Sequence, residues 1–253
     1  MSASEDVSHN AAGPSGFSLY VFRDIRAHLP SRALGSRSAL RDDDYAEARR
    51  YARDADAEDF LRRRVCLYAG LDHWFSLIGY PSLGSDDRII RGELGKPVLQ
   101  RAGGSRYTAF NLSARSDAIL LGVSTDREIG VDLEDSRRRI KPGSMRAVMD
   151  YYFLPGERNL VREAGEDPEA FLRIWTKKEA AVKARGLSIG SHGMMVDTMA
   201  EDGDPWFQSG GLKIFGVSGE LTGGYIWSAA LVCPDPLDRE PRLIYGNSLI
   251  PDA

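Results

Sequence analysis

The chain has 253 residues, 42% of them hydrophobic, so it can bury a core as one large domain or as two smaller ones. Its 33 basic and 37 acidic residues nearly balance, and the net charge of -4 gives no reason to expect nucleic-acid or membrane binding. Cys66 and Cys233 fit no metal or redox spacing, which favours reduced thiols in a cytoplasmic protein. No apolar run reaches the length of a membrane span.

The N-terminal half predicts a tail, a strand, two helices and then three more strands. Residues 1–16 are small, polar and acidic, unlike a signal peptide, and we expect a disordered tail there. "FSLYVF" (Phe17 to Phe22) alternates like a strand, and helices are expected over 41–53 and about 57–78. The short gaps between "YTAFNLS", "DAILLGVS" and "EIGVDLE" predict three strands that are antiparallel neighbours.

The C-terminal half also runs from helices to strands. A helix is expected over about 145–152, and a second one has Asp167 as its N-cap and Gly186 as its stop. "GLKIFGVSG" and "GYIWSAALVC" read as strands. Because both halves share this order, the sequence predicts an α+β fold of two similar lobes, with a tail (1–16), an N-terminal lobe (17–127) and a C-terminal lobe (128–253).

The segment "IGVDLED" (Ile129 to Asp135) carries acids where a half-buried strand would carry neutral residues. Asp132 and Glu134 share one face of the strand, about 7 Å apart, where two desolvated charges repel by roughly 2 kcal/mol. On their own they favour a solvent-facing strand edge. A desolvated pair would instead hold a proton or bind a cation.

Glu179 and Lys183 are four residues apart on a predicted helix and are therefore neighbours. Alone, such a pair is most often solvated. If the helix approaches the strand, Asp132, Glu134 and Glu179 would form the oxygen-rich kind of site that Mg²⁺ takes. Lys183 would then face the charge of a phosphate.

Several short motifs occur in one order along the chain. They are "GKP" (Gly95 to Pro97), "GVDLE" (Gly130 to Glu134), "YFLPGE" (Tyr152 to Glu157), "WTKKEAAVK" (Trp175 to Lys183) and a "GY" strand that runs from Gly224 to Pro234. This order, over roughly residues 45–236, resembles the signature of the Sfp-type 4'-phosphopantetheinyl transferase superfamily.

The resemblance implies a two-lobed α+β fold with pseudo-twofold symmetry and with coenzyme A and Mg²⁺ in the cleft. Such an enzyme moves the phosphopantetheine arm onto a serine of an acyl or peptidyl carrier protein and releases 3',5'-ADP. The implied metal ligands are Asp132, Glu134 and Glu179. Glu179, or a metal-bound water, would take the serine proton, while Lys183 would neutralise the leaving phosphate. The implied coenzyme-binding residues are Lys96, Arg49, Arg50, Ser113 and Arg115, in a monomeric protein.

Three positions depart from the family pattern. Ala114 stands where the family has a histidine that contacts coenzyme A phosphate, and Arg115 beside it should point to the opposite face. Asp59 aligns with an arginine of the 3'-phosphate clamp, where an aspartate would repel phosphate; Arg53, Arg62 or Arg63 would have to substitute, or are simply solvated. The G-x-G-L motif expected after the helix is altered to "RGLSIGSHG".

These departures leave three hypotheses for the chain. The first is an active transferase with a rearranged coenzyme clamp. The second is a repurposed homologue that keeps the metal site but acts on another phosphorylated donor or another acceptor. The third is a non-catalytic module that binds a carrier protein.

Overall fold

The structure, a computed structural model, describes residues 16–34, 40–92, 95–101, 108–187, 189–199, 204–209, 211–233 and 242–250. Apart from Gly16, the predicted disordered tail lies outside these ranges. The strands are β1 (Phe17–Arg23), β2 (Arg88–Arg91), β3 (Pro97–Gln100), β4 (Ala109–Arg115), β5 (Ala118–Ser124), β6 (Ile129–Asp135), β7 (Phe207–Ser209), β8 (Leu212–Leu221), β9 (Tyr225–Val232) and β10 (Arg242–Tyr245). The helices are α1 (Ile25–His28), α2 (Ser31–Leu34), α3 (Asp42–Ala48), α4 (Asp54–Leu77), α5 (Pro142–Tyr152), α6 (Pro155–Glu163), α7 (Pro168–Ala184) and α8 (Ile189–His192), with short 3-10 helices at Gly193–Met195 and Gly246–Leu249.

Two four-stranded sheets form the centre of the described molecule. The first has the strand order β10-β1-β5-β4, and its outer face packs on α4 through a core that includes Tyr20, Phe22 and Trp74. The second has the order β6-β9-β8-β7, and its outer face packs on α7. The inner faces of the sheets meet in a third core around Leu120 and Val131. The α+β class is confirmed, while the pseudo-twofold symmetry stays a prediction.

The predicted pairing of the three central strands is half right. β4 and β5 are antiparallel neighbours, but β6 pairs with β9 in the other sheet. β6 instead crosses the face of β5 at Gly122, where a Cβ atom would lie 2.7 Å from the side chain of Val131. Strand alternation predicts which side chains share a face, and it does not specify the neighbouring strand.

The helix predicted from Asp167 to Gly186 is confirmed as α7. The Asp167 carboxylate accepts a hydrogen bond from the backbone N–H of Ala170, as an N-cap should, and Gly186 follows the helix at φ +70°. The sequence interpretation missed α6, the β2–β3 hairpin and β10. None of the helices in the described ranges combines the length and hydrophobicity that a membrane crossing requires.

The last described strand, β10, pairs with the first, β1. β10 runs parallel to β1, so a strand from the predicted C-terminal lobe completes the first sheet; the boundaries of the lobes stay a prediction. Just after β10, the side-chain amide of Asn247 accepts from the backbone N–H of Arg23 at 2.9 Å and donates to its carbonyl at 2.7 Å. This amide thus pairs with the last residue of β1 as a neighbouring strand would.

We expect Asn247→Ala to lower the free energy of unfolding by about 1–2 kcal/mol, because two hydrogen bonds to partly buried backbone groups are lost. Urea denaturation measures the change. Ser248→Ala, at an exposed neighbouring position, is the control and should leave stability within about 0.5 kcal/mol of the starting protein. Equal stabilities of the two variants would contradict the role of the amide.

Candidate active site

The acids of β6 are buried. Asp132 is 4% exposed and Glu134 is 5% exposed, although both stood on the strand face that the sequence alone assigned to solvent. Val131 and Leu133 point the other way, into the core between the sheets. The solvent-facing interpretation is therefore wrong, and the desolvated alternative applies.

Helix α7 reaches these acids because β6 has a glycine at its second position. A Cβ atom at Gly130 would lie 2.1 Å from the carbonyl oxygen of Ala180 and 2.2 Å from the backbone nitrogen of Ala184. Real Cβ atoms do not approach backbone so closely, so only glycine lets α7 lie directly on the strand. This contact brings Glu179 and Lys183 to Asp132.

Lys183 joins the helix to the strand. Its ammonium lies 2.6 Å from Oδ1 of Asp132 and 3.3 Å from Oε2 of Glu179. Burial alone would lower the pKa of Lys183, but the two carboxylates outweigh it and raise the pKa. Burial raises the pKa of Glu179; the charge of Asp132 adds to this rise, and Lys183 opposes it.

Strand β4 supplies the other contacts of Asp132. The Ser113 hydroxyl donates to Oδ1 of Asp132 at 3.0 Å and accepts from the backbone N–H of Leu133. The Asn111 amide oxygen accepts from the N–H of Val131, so side chains of β4 satisfy the free edge of β6. Oδ2 of Asp132 is buried and has no hydrogen-bond partner in the described structure. A buried unpaired carboxylate oxygen is costly, which marks this atom as a candidate ligand of a cation.

Glu134 is held by Arg115, whose guanidinium donates to its carboxylate. Burial raises the pKa of Glu134, and Arg115 opposes that rise. Arg115 and Ser113 face β6, whereas Ala114 packs on the core under α4, so Arg115 points away from the direction of residue 114 as expected.

The three predicted metal ligands, Asp132, Glu134 and Glu179, lie near one another but are not arranged as a metal site. Among the residues that the structure describes, no group of three His, Cys, Asp or Glu side chains is placed to hold one ion. Lys183 forms ion pairs with Asp132 and Glu179, and Arg115 forms an ion pair with Glu134. Their role as ligands stays a prediction.

A family model described as the 4'-phosphopantetheinyl transferase superfamily matches residues 128–209. This range includes β6, α7 and the ionic cluster formed by Asp132, Glu179 and Lys183. Residues 128–209 are therefore similar to that superfamily. The resemblance predicted from the motifs is confirmed.

Curated relatives agree with this match. The chain is 40% identical over 104 residues to the 4'-phosphopantetheinyl transferase AcpT of Salmonella typhimurium, covering 40% of this chain and 50% of the relative. It is 36% identical over 98 residues to the transferase HetI of Nostoc sp., covering 38% and 40%. It is 33% identical over 116 residues to the L-aminoadipate-semialdehyde dehydrogenase-phosphopantetheinyl transferase of Xenopus laevis, covering 41% and 37%. The matches thus cover half or less of each of these relatives.

Two residues that depart from the superfamily pattern lie at one cavity, although they are distant in sequence. Ala114 and Asp59 line the same cavity of about 220 Å³, together with Arg26, Arg62 and Arg63. Arg26 and Arg62 bind the Asp59 carboxylate at 2.8 and 2.9 Å. Burial raises the pKa of Asp59, but these two arginines outweigh it and lower the pKa. The repulsion of phosphate expected from Asp59 is therefore compensated by its own ion pairs.

Of the predicted coenzyme-binding residues, Arg115 also lines this cavity, whereas Arg49 and Arg50 do not. Arg49 and Arg50 are exposed at the end of α3, and Arg50 pairs with Glu47 at 2.7 Å. Arg50 lines another cavity, of about 370 Å³, with Tyr51 and Phe60. Their contact with coenzyme A stays a prediction.

A buried ion pair on α7 was missed by the sequence interpretation. Lys178 and Glu157 are fully buried and 2.8 Å apart. Lys178 lies four residues after Ile174 and four before Val182, on the apolar stripe of α7, and this spacing is the signal that would have found it. The pair supports the helix and does not enter the ionic cluster.

Proposed function

We propose that this protein transfers the 4'-phosphopantetheine group of coenzyme A to a serine of an acyl or peptidyl carrier protein, with Mg²⁺ as cofactor. The observation that carries the proposal is the buried cluster of Asp132, Glu179 and Lys183 within a segment similar to the transferase superfamily. The whole activity is proposed, since the relatives are matched over only part of their length.

The residues present fit a magnesium ion by their chemistry, and the ion would replace Lys183 and Arg115 at the carboxylates with which these two side chains pair. Asp132, Glu134 and Glu179 offer carboxylate oxygens, which Mg²⁺ prefers, and Oδ2 of Asp132 is buried without a partner. These three side chains would hold the ion. When bound, Mg²⁺ would neutralise charge on the pyrophosphate of coenzyme A.

The side chains around it have distinct proposed tasks. Glu179 accepts the proton of the acceptor serine as the serine oxygen bonds to the transferred phosphorus. Lys183 faces the phosphate oxygen that leaves with 3',5'-ADP as that bond breaks, and its raised pKa keeps it cationic. Ser113 orients Asp132.

A repurposed homologue is the second candidate. It is favoured by one observation: two of the three departures, Ala114 and Asp59, line the same cavity. This candidate would keep the ionic cluster and use another phosphorylated donor or another acceptor.

The test of the proposal is intact-protein mass spectrometry of an apo carrier protein incubated with coenzyme A, Mg²⁺ and this protein. We expect the mass of phosphopantetheine to be added, and Asp132→Ala to slow the addition by at least roughly 100-fold because the cluster loses its central anion. Asp150→Ala, at an exposed aspartate 3.9 Å from Arg158, is the control and should transfer at the normal rate.

Two outcomes would reject the proposal. If several different carrier proteins gain no mass, the transferase function is wrong, and the repurposed homologue and the binding module are the hypotheses left. If transfer survives Asp132→Ala undiminished, the ionic cluster is not the active site. A rate that falls in Asp132→Ala alone also rejects the non-catalytic binding module.

A further inference from the structure

Lys96 occupies a buried position between three parts of the chain. It directly precedes β3, and its side chain is 12% exposed. Its Nζ lies 2.5 Å from Oε2 of Glu128, 2.9 Å from the carbonyl oxygen of Ile129 and 3.3 Å from that of Ala184. A lysine ammonium has three N–H donors, so the protein itself supplies an acceptor for each of them.

The acceptors lie at both sides of the ionic cluster. Ile129 begins β6, three residues before Asp132, and Ala184 ends α7, one residue after Lys183. The Ala184 carbonyl is one of the last four carbonyls of α7. These carbonyls receive no hydrogen bond from an N–H group within the helix, and they form the negative end of the helix dipole. The contact of a cation there is favourable, and burial makes it stronger.

We propose that Lys96 is a positioning residue, which fixes the last turn of α7 against the first residues of β6, and is not a ligand of coenzyme A phosphate. This inference rests on the proposed function only for its effect on rate. A phosphate bound by Lys96 would have to replace one of the three present acceptors. The residue therefore acts on the reaction through the placement of Lys183 relative to Asp132.

The structural half of the test needs no substrate. Hydrogen–deuterium exchange of the full chain measures the amides at the end of α7 and just beyond it, from Lys183 to Leu187. In Lys96→Met we expect these amides to exchange roughly 10-fold faster, while the amides of α4 are unchanged. Lys96→Arg keeps the charge and the donors and should restore most of the protection. Lys141→Met, at an exposed lysine, is the control.

The kinetic half separates positioning from binding. Lys96→Met should lower kcat by roughly 10- to 100-fold, because small displacements of reacting groups are that costly, with the KM for coenzyme A changed by less than about two-fold. Lys96→Arg should recover most of kcat. A ligand of coenzyme phosphate would instead raise the KM and the calorimetric Kd for coenzyme A, with kcat retained.

The outcomes separate the positioning role of Lys96 from the proposed transferase function. Unchanged exchange in the last turn of α7 overturns the positioning role, whatever the activity, and so does a KM effect without a kcat effect. Faster exchange in a protein that transfers nothing to any carrier protein leaves the positioning role intact and rejects the proposed function. If Lys96→Met does not fold, Lys96→Gln, which retains a donor, is measured in the same way and is expected to show a smaller effect in the same direction.

Discussion

Gly130→Ala is expected to separate α7 from β6 and to abolish the ionic cluster. The added Cβ atom would lie 2.1 Å from the carbonyl oxygen of Ala180 and 2.2 Å from the nitrogen of Ala184. Both are backbone atoms of one helix, so no side chain can rotate to make room and the whole helix has to move. We expect a loss of about 3 kcal/mol or more in the free energy of unfolding, at the upper end of the cost of overpacking.

The measurement is thermal unfolding together with the transfer assay. A loss of that size lowers the Tm by roughly 6–12 °C for a domain of this length. Any protein that remains folded should transfer at a far lower rate, because Lys183 and Glu179 move with the helix. Gly143→Ala is the matched control: it lies in α5 with no atom within 4 Å of its added Cβ, and it should be neutral or stabilising by up to about 1 kcal/mol. Similar Tm values for the two variants would contradict the close approach at Gly130.

The existence of β6 and α7 follows from the sequence because local signals specify them. Alternation of Val131 and Leu133 with the acids predicts a strand, and Asp167 with Gly186 predicts the bounds of the helix to within a few residues. Their contact does not follow from these signals. It depends on the missing Cβ of Gly130, and a glycine inside a strand pattern is equally compatible with a bulge.

The sequence predicted which residues form the ionic cluster better than it predicted their contacts. The order of the motifs predicted that Asp132, Glu179 and Lys183 belong to one site. In the structure, Lys183 lies within ion-pair distance of both Asp132 and Glu179. Pairing of Glu134 with Arg115 was not predicted, since strand register between two sheets is a long-range property. The contact of Asp59 with Arg26 was not predicted either, because Arg26 lies 33 residues before it.

Lys178→Met is expected to destabilise the protein strongly. Lys178 donates to the carbonyls of Gly193 and Val196 and pairs with Glu157 at 2.8 Å, with both side chains fully buried. Burial lowers the pKa of Lys178, and Glu157 opposes that change. Removing the ammonium leaves the Glu157 carboxylate buried without its counter-ion, which costs about 3–5 kcal/mol.

Urea denaturation tests this expectation against the neighbouring lysine. Lys177→Met removes a partly exposed ammonium that lies 5.5 Å from the Trp206 ring centroid and 3.3 Å from the Thr198 carbonyl oxygen, and it should cost about 1 kcal/mol or less. The double variant Lys178→Met with Glu157→Gln removes both charges. It should be more stable than Lys178→Met alone by about 1–2 kcal/mol, but not fully restored.

The reason for incomplete recovery lies in the other contacts of Glu157. One carboxylate oxygen accepts from the backbone N–H of Leu154, and the second accepts from the N–H and hydroxyl of Thr198. A glutamine presents an NH₂ group to the donors on one of these two sides, so at least one hydrogen bond is lost in either orientation. If the double variant is less stable than Lys178→Met, the uncompensated charge of Glu157 is not the cause of the loss, and the cost belongs to the unpaired carbonyls of Gly193 and Val196 instead.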